Sequence, residues 1–280
     1  MISQLILALL IYPGLLTALA LGGLFALLAE GRLVLPGFGA SIGAEGLTGL
    51  ASLVLAGLAL ALLPWPLHPA AHWRAVGSAA TLWAVVEAAY LLPLLPGLLD
   101  PAPLVSRAAV REAQMGVAGR AVIWLAVGAG LWPEATWSTR TLLGHILLLV
   151  GGLLAFPAAA GIGPFGAELT LHSAGAEAGL DGSTAGLLRF GRSLRASVLL
   201  AALIVTALPP VQPWGVRTGF QLVPAVGAAL SLALFVVAAL AVRQASVSLP
   251  RFTLPAALRW CWTRALPVVL VGLAYVALVR

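Results

Sequence analysis

Nine acidic side chains stand in a chain of 280 residues that is 61% hydrophobic and 9% charged. Each is therefore a place to look for chemistry. Glu87 lies near the middle of a long apolar run. A carboxylate there is expensive and by default marks a water-lined path, or else is protonated and hydrogen-bonded to a neighbouring helix. Trp83 and Tyr90 fall on neighbouring turns of the same helical face. Three more acids, Glu168, Glu177 and Asp181, sit in the longest polar break, GIGPFGAELTLHSAGAEAGLDGSTAGLLRFGRSLR, from Gly161 to Arg195. With Glu87 and Glu112 they are the candidates for a charge-sensitive relay. At an effective dielectric of about 20, unit charges a few ångströms apart couple by a few kcal/mol, enough to move a carboxylate pKa by a unit or more. Arg189, Arg192 and Arg195 recur every third residue along one side of a helix start. That spacing suits docking of an acidic partner, or snorkelling anchors at a membrane edge.

Other reactive residues carry less. His68 and His72 are four apart, a metal-ligand spacing on a helix, but Pro69 lies between them and no acid is near, so they read as interfacial loop histidines. His145 stands one turn inside an apolar run and reads as a satisfied helix histidine rather than a proton carrier. The single cysteine, Cys261, allows no intrachain disulfide and cannot hold an iron–sulfur cluster, which normally takes four thiolates. There is no metal-ligand cluster, nucleophile constellation or phosphate loop. No catalytic residue, metal site or bound cofactor is assigned to this chain.

The elements that must position these residues follow from composition. The charged fraction is far below the roughly one quarter of soluble domains, and the apolar runs are continuous rather than alternating. Only helices satisfy the backbone of such runs in hydrocarbon. The expected fold is all-α: a single polytopic domain over residues 1–280 with eight membrane helices. The expected spans are about 2–28, 47–63, 75–98, 117–132, 141–158, 194–208, 220–241 and 265–279, with residues 100–120 as a polar connection and a long loop at about 159–193. Met1 to Leu28 lacks a charged n-region and a small-residue cleavage site, and reads as a retained helix.

All fifteen basic residues are arginines, and they test the topology. They are dispersed between apolar runs, which argues against a nucleic-acid surface. Eleven fall in or beside the connections after spans one, three, five and seven (Arg32; Arg107, Arg111, Arg120; Arg189, Arg192, Arg195; Arg243, Arg251, Arg259, Arg264), against four elsewhere. By the positive-inside rule those connections face the cytoplasm and both termini face out, in a cytoplasmic (inner) membrane.

Three patches carry a family resemblance. SLPRFTLPAALRWCWTRALPVVL (248–270) resembles a Pro-Arg-Phe/Arg segment followed by a Trp-Lys-x-x-Leu-Pro start of a last helix, here Trp262 to Pro267. SRAAVREAQ (106–114) is similar to an Arg-containing, Ala-rich start of a fourth helix. Pro164-Phe165 followed by Glu168, and then LLRFGRSLRASVLLAAL, resemble a Pro-Phe-Asp-x-x-Glu stretch and the helix after it. Together they resemble the arm-docking membrane subunit of respiratory complex I (subunit 1, or H) and its counterpart in energy-converting, group 4 NiFe hydrogenases and formate hydrogenlyase.

The resemblance implies a non-catalytic membrane subunit that anchors a hydrophilic electron-transfer arm and couples electron transfer to proton or ion translocation. Its implied partners are an iron–sulfur small subunit and a large subunit, which would hold the iron–sulfur clusters and a NiFe centre, together with antiporter-like membrane subunits in the bilayer. Arg107, Arg111, Arg189, Arg192, Arg195, Arg251 and Arg259 would face that arm. The pattern departs at Gly166, where the family has Asp, at Asp181-Gly182-Ser183, where it has Glu-Tyr-Ser-Gly, and near Gly119-Arg120, where a glutamate is expected. The loop after the first helix keeps Pro36-Gly37 without the Arg-rich pattern. These losses thin the acidic path and argue against quinone binding. The competing reading is a stand-alone secondary transporter or channel, weakened by the scarcity of polar residues inside the spans.

Overall fold

The computed structural model describes residues 2–31, 43–69, 79–131, 137–166, 180–209 and 223–279. Among them all regular structure is helical, and eight helices are long and apolar enough to cross a membrane. They are α1 (Ser3–Glu30), α2 (Ala44–Leu62), α3 (Ala79–Leu99), α4 (Pro103–Leu131), α5 (Leu142–Ala160), α6 (Gly182–Ala207), α7 (Pro224–Ser248) and α8 (Leu254–Val279).

Three of these helices extend well beyond their apolar runs. Residues 103–116, expected as a polar connection, are the first half of α4. The charges there are held in place: Arg111 donates to Phe252 O at 2.8 Å and Glu112 pairs with Arg192. The loop expected to end near residue 193 ends instead at Asp181, whose carboxylate caps α6 by accepting from Thr184 N at 3.1 Å. α8 begins at Leu254, with a π-helical stretch at Cys261–Ala265 inside it. Pro224, expected to interrupt the seventh span, is the first residue of α7, where its missing N–H costs nothing.

α6 is the axis of the bundle. Of its most apolar stretch 94% is buried, against 22% for α8, and it packs against α1, α2, α3, α4, α5 and α7. Lipid tails are as apolar as leucine, so hydrophobic burial alone does not draw such helices together; close packing of small residues does. Gly119 is the clearest case. A Cβ there would lie 2.4 Å from Ala159 N, so α4 and α5 meet only because that position has no side chain. α8 lies outside the ring and packs on α5 and α4. At the loop end of the bundle, Phe165 packs with Phe252 at 4.9 Å between centroids and with Trp260 at 6.2 Å, while Phe252 N donates to Pro164 O at 2.9 Å. The start of the α5–α6 connection is thereby tied to the α7–α8 connection.

Candidate functional site

α3, α4 and α6 each send charged groups into the middle of the bundle. Glu87 of α3 faces Arg120 of α4. The guanidinium Nε lies 2.9 Å from both carboxylate oxygens and a terminal nitrogen 2.8 Å from Oε2. Trp124, one turn further along α4, donates its indole N–H to the same carboxylate at 3.0 Å. Arg120 is 2% exposed, and its other terminal nitrogen reaches Ala159 O at 3.4 Å. Glu87 is thus paired, one half of a buried ion pair with Arg120. The Tyr90 ring stacks under this guanidinium, 4.4 Å from its central carbon, while Trp83 points outward and is half exposed.

On its other side Tyr90 meets a second cation. The Arg195 guanidinium carbon is 5.6 Å from the ring centroid, and Arg195 donates to Ser52 Oγ at 2.8 Å, which in turn donates to Ala89 O at 2.7 Å. Arg195 is 5% exposed. Its Nε and the Tyr90 hydroxyl have no hydrogen-bond partner among the described residues. The every-third-residue spacing of Arg189, Arg192 and Arg195 therefore runs inward along α6. Arg189 is exposed, Arg192 is partly buried against Glu112 at 3.4 Å, and Arg195 is in the core. Opposite, Ser193 donates to Glu30 Oε1 of α1 at 2.8 Å.

These groups form one connected row. Glu112 lies beside Gly161, where the α5–α6 connection begins: a Cβ on that glycine would be 3.9 Å from Glu112 Oε1. From Glu112 the row passes to Arg192, then one turn along α6 to Arg195, and across Tyr90 to Arg120 and Glu87. Eight residues of α4 separate Glu112 from Arg120, about 12 Å along the axis. Two guanidiniums flank one tyrosine here, so the row is acidic only at its ends.

Of the other sequence candidates, Arg111 is engaged with Phe252 O, while Arg107, Arg251 and Arg259 are exposed. Asp181 caps α6 at the surface, its carboxyl held down to about 2, first by the Ser183 hydroxyl and then by Thr184. Glu168 and Glu177 lie outside the described residues, as do His72 and the Pro36-Gly37 loop. His145 is buried and stacks on Trp137, with centroids 4.0 Å apart, but neither ring nitrogen has a hydrogen-bond partner among the described residues. The arginine tally needs one correction. Arg120 and Arg195 are core groups and carry no topological signal, which leaves nine against four.

Sequence reasoning missed Arg120, Arg195, Ser52, Ser193 and Glu30 as partners. For Arg120 a signal was present: it is the one charge in the apolar run from Gly116 to Leu131, as Glu87 is in its own. Two lone, opposite charges in adjacent spans point to each other.

No family profile and no curated protein matches the chain. Its fold does match solved structures. It is similar to a chain of the membrane-bound sulfane sulfur reductase (MBS), an archaeal respiratory membrane complex, with a TM-score of 0.62 and 17% identity. The likeness runs end to end, over 98% of this chain and 99% of that one, and shows a shared fold.

Proposed function

We propose that this chain is a membrane subunit of a complex I-like or energy-converting hydrogenase-like redox complex. It anchors a soluble electron-transfer arm through the connection between α5 and α6 and couples electron transfer to proton or ion movement. The observation that carries the reading is the end-to-end fold likeness to a chain of a respiratory membrane complex, joined to a buried charged row that starts beside that connection. Charges in such a row feel one another across low-dielectric packing, so a change of charge near Glu112 alters the energetics of Arg192 and, beyond it, of Arg195. The iron–sulfur clusters would sit in partner subunits, since one buried cysteine cannot ligate them here.

The test is gentle solubilisation of the tagged chain from its native membrane and mass-spectrometric identification of what accompanies it. An iron–sulfur small subunit, a large subunit and antiporter-like membrane subunits are expected. A large subunit with metal-binding cysteines selects the hydrogenase form, and one without them the complex I-like form. Recovery of the chain as a stable monomer that moves a solute in liposomes by itself would replace this reading with the transporter one.

A further inference from the structure

All nine acids lie in the first 181 residues, whereas the remaining 99 hold nine of the fifteen arginines and no acid. Two of those arginines, Arg259 and Arg264, are exposed on α8, and neither pairs with an acid among the described residues. α8 has 26 residues, about 39 Å, while a hydrocarbon core needs about 20. From Ala265 to Val279 it carries no charge. The surplus of about six residues therefore lies at its N-terminal end and puts Leu254 to Arg259 at the level of the lipid headgroups, with Arg264 less than two turns deeper. Trp262, 48% exposed, stands just below that level, near the interface where indole rings concentrate.

The two arginines stand five positions apart on one helix. In a regular α-helix residues five apart diverge by about 140°. From Cys261 to Ala265, a stretch that includes Arg264, the helix is π-helical, closed by a bond from Leu266 N–H to Cys261 O. The wider turn lowers the rotation per residue and so reduces that divergence. Side chains also lean toward a helix N-terminus, so Arg264 reaches back toward the level of Arg259. Below them the outward face is apolar, with Leu270, Val271 and Leu278 exposed.

We infer that Arg259 and Arg264 hold the phosphate of an anionic phospholipid whose acyl chains lie along the outer face of α8. This places Arg259 on the lateral, lipid-facing surface rather than among the arm-docking arginines, and it does not depend on which soluble partners the chain has. Each basic residue at an anionic surface strengthens binding about fivefold, so losing both weakens it about 25-fold.

The full chain, reconstituted in phosphatidylcholine nanodiscs containing a minority of phosphatidylglycerol, is released and its retained lipid is read by native mass spectrometry. Wild type retains phosphatidylglycerol over phosphatidylcholine; R259Q/R264Q loses that preference, while R259K/R264K and the opposite-face variant R140Q keep it. A second measurement needs no variant: molar salt, which cuts the screening length to about 3 Å, releases the lipid from wild type. Retention unchanged in R259Q/R264Q, or insensitive to salt, overturns the proposal. So does a photo-crosslinker at position 262 that captures a protein chain instead of lipid in the native membrane.

Discussion

Replacing Arg120 by methionine removes one half of the buried ion pair with Glu87, together with the guanidinium's stacking on Tyr90 and its contact with Ala159 O. Three nitrogen–oxygen contacts of 2.8 to 2.9 Å are lost, at side chains 3% and 14% exposed. Two opposed unit charges about 4 Å apart at an effective dielectric of 20 attract by about 4 kcal/mol. Breaking one side of a buried pair costs about 3 to 5 kcal/mol in soluble proteins, and the two figures agree. The two sides are not equivalent. Left alone, Glu87 can take up a proton and keep its bond from Trp124, whereas Arg120 cannot shed its charge. Glu87→Met is therefore expected to destabilise more than Arg120→Met, and the double variant less than either. The assay is unfolding in mixed micelles followed by the fluorescence of the nine tryptophans, arranged as a double-mutant cycle. A coupling energy within about 0.5 kcal/mol of zero would refute the pair as a structural unit.

Three further outcomes are expected. Gly119→Leu separates α4 from α5 and abolishes a folded bundle by size exclusion, while Gly128→Leu, with nothing within 4 Å of its would-be Cβ, leaves elution unchanged; equal behaviour of the two would refute the packing argument. Phe165 is 1% exposed against Phe252 and Trp260, so Phe165→Ala loses about 3 to 5 kcal/mol and speeds proteolysis at the α5–α6 connection; an unaltered cleavage rate counts against the tie between the two connections. The Asp181 carboxyl lies at about 2 instead of its ordinary 3.8, so its cap is complete above about pH 4 and is lost as the pH falls toward 2. The protection of the Thr184 amide relative to its intrinsic exchange rate should fall over that window, and Asp181→Ala should show the low protection at every pH; protection that is flat with pH in the wild type would contradict the cap.

Coupling is tested separately. In the assembled complex, Glu87→Gln and Glu112→Gln should lower proton movement per turnover by more than they lower turnover. Equal losses in both quantities would remove these acids from any relay.

The eight spans were legible because a long apolar run has few alternatives in a bilayer. Their ends were not. Residues 103–116 and 182–193 read as loop because they carry charge, yet Arg111, Glu112 and Arg192 are each held by another element. Glu87 was legible as unusual from depth alone. Its role was not, because Arg120 was counted as a surface charge at the edge of a connection. The contact between Ser193 and Glu30 spans 163 positions of sequence, and no local periodicity reports it. The aromatic tie of Phe165, Phe252 and Trp260 joins two patches noticed separately, and only three dimensions show that they touch.

That α6 is the axis of the bundle has a consequence for synthesis. α1 and α2 leave the ribosome well before the helix they pack on. Ala207 comes 145 residues after Leu62, on the order of ten seconds of translation. For that time Ser52 and Glu30 have no Arg195 or Ser193 to meet, and Gly22 has no Leu194. The early hairpin must wait in the bilayer, or beside an insertion factor, as an unfinished shell. Assembly is then closed by a late central piece rather than grown outward from an early nucleus, and a nascent chain arrested before Gly182 is the species that quality control would meet.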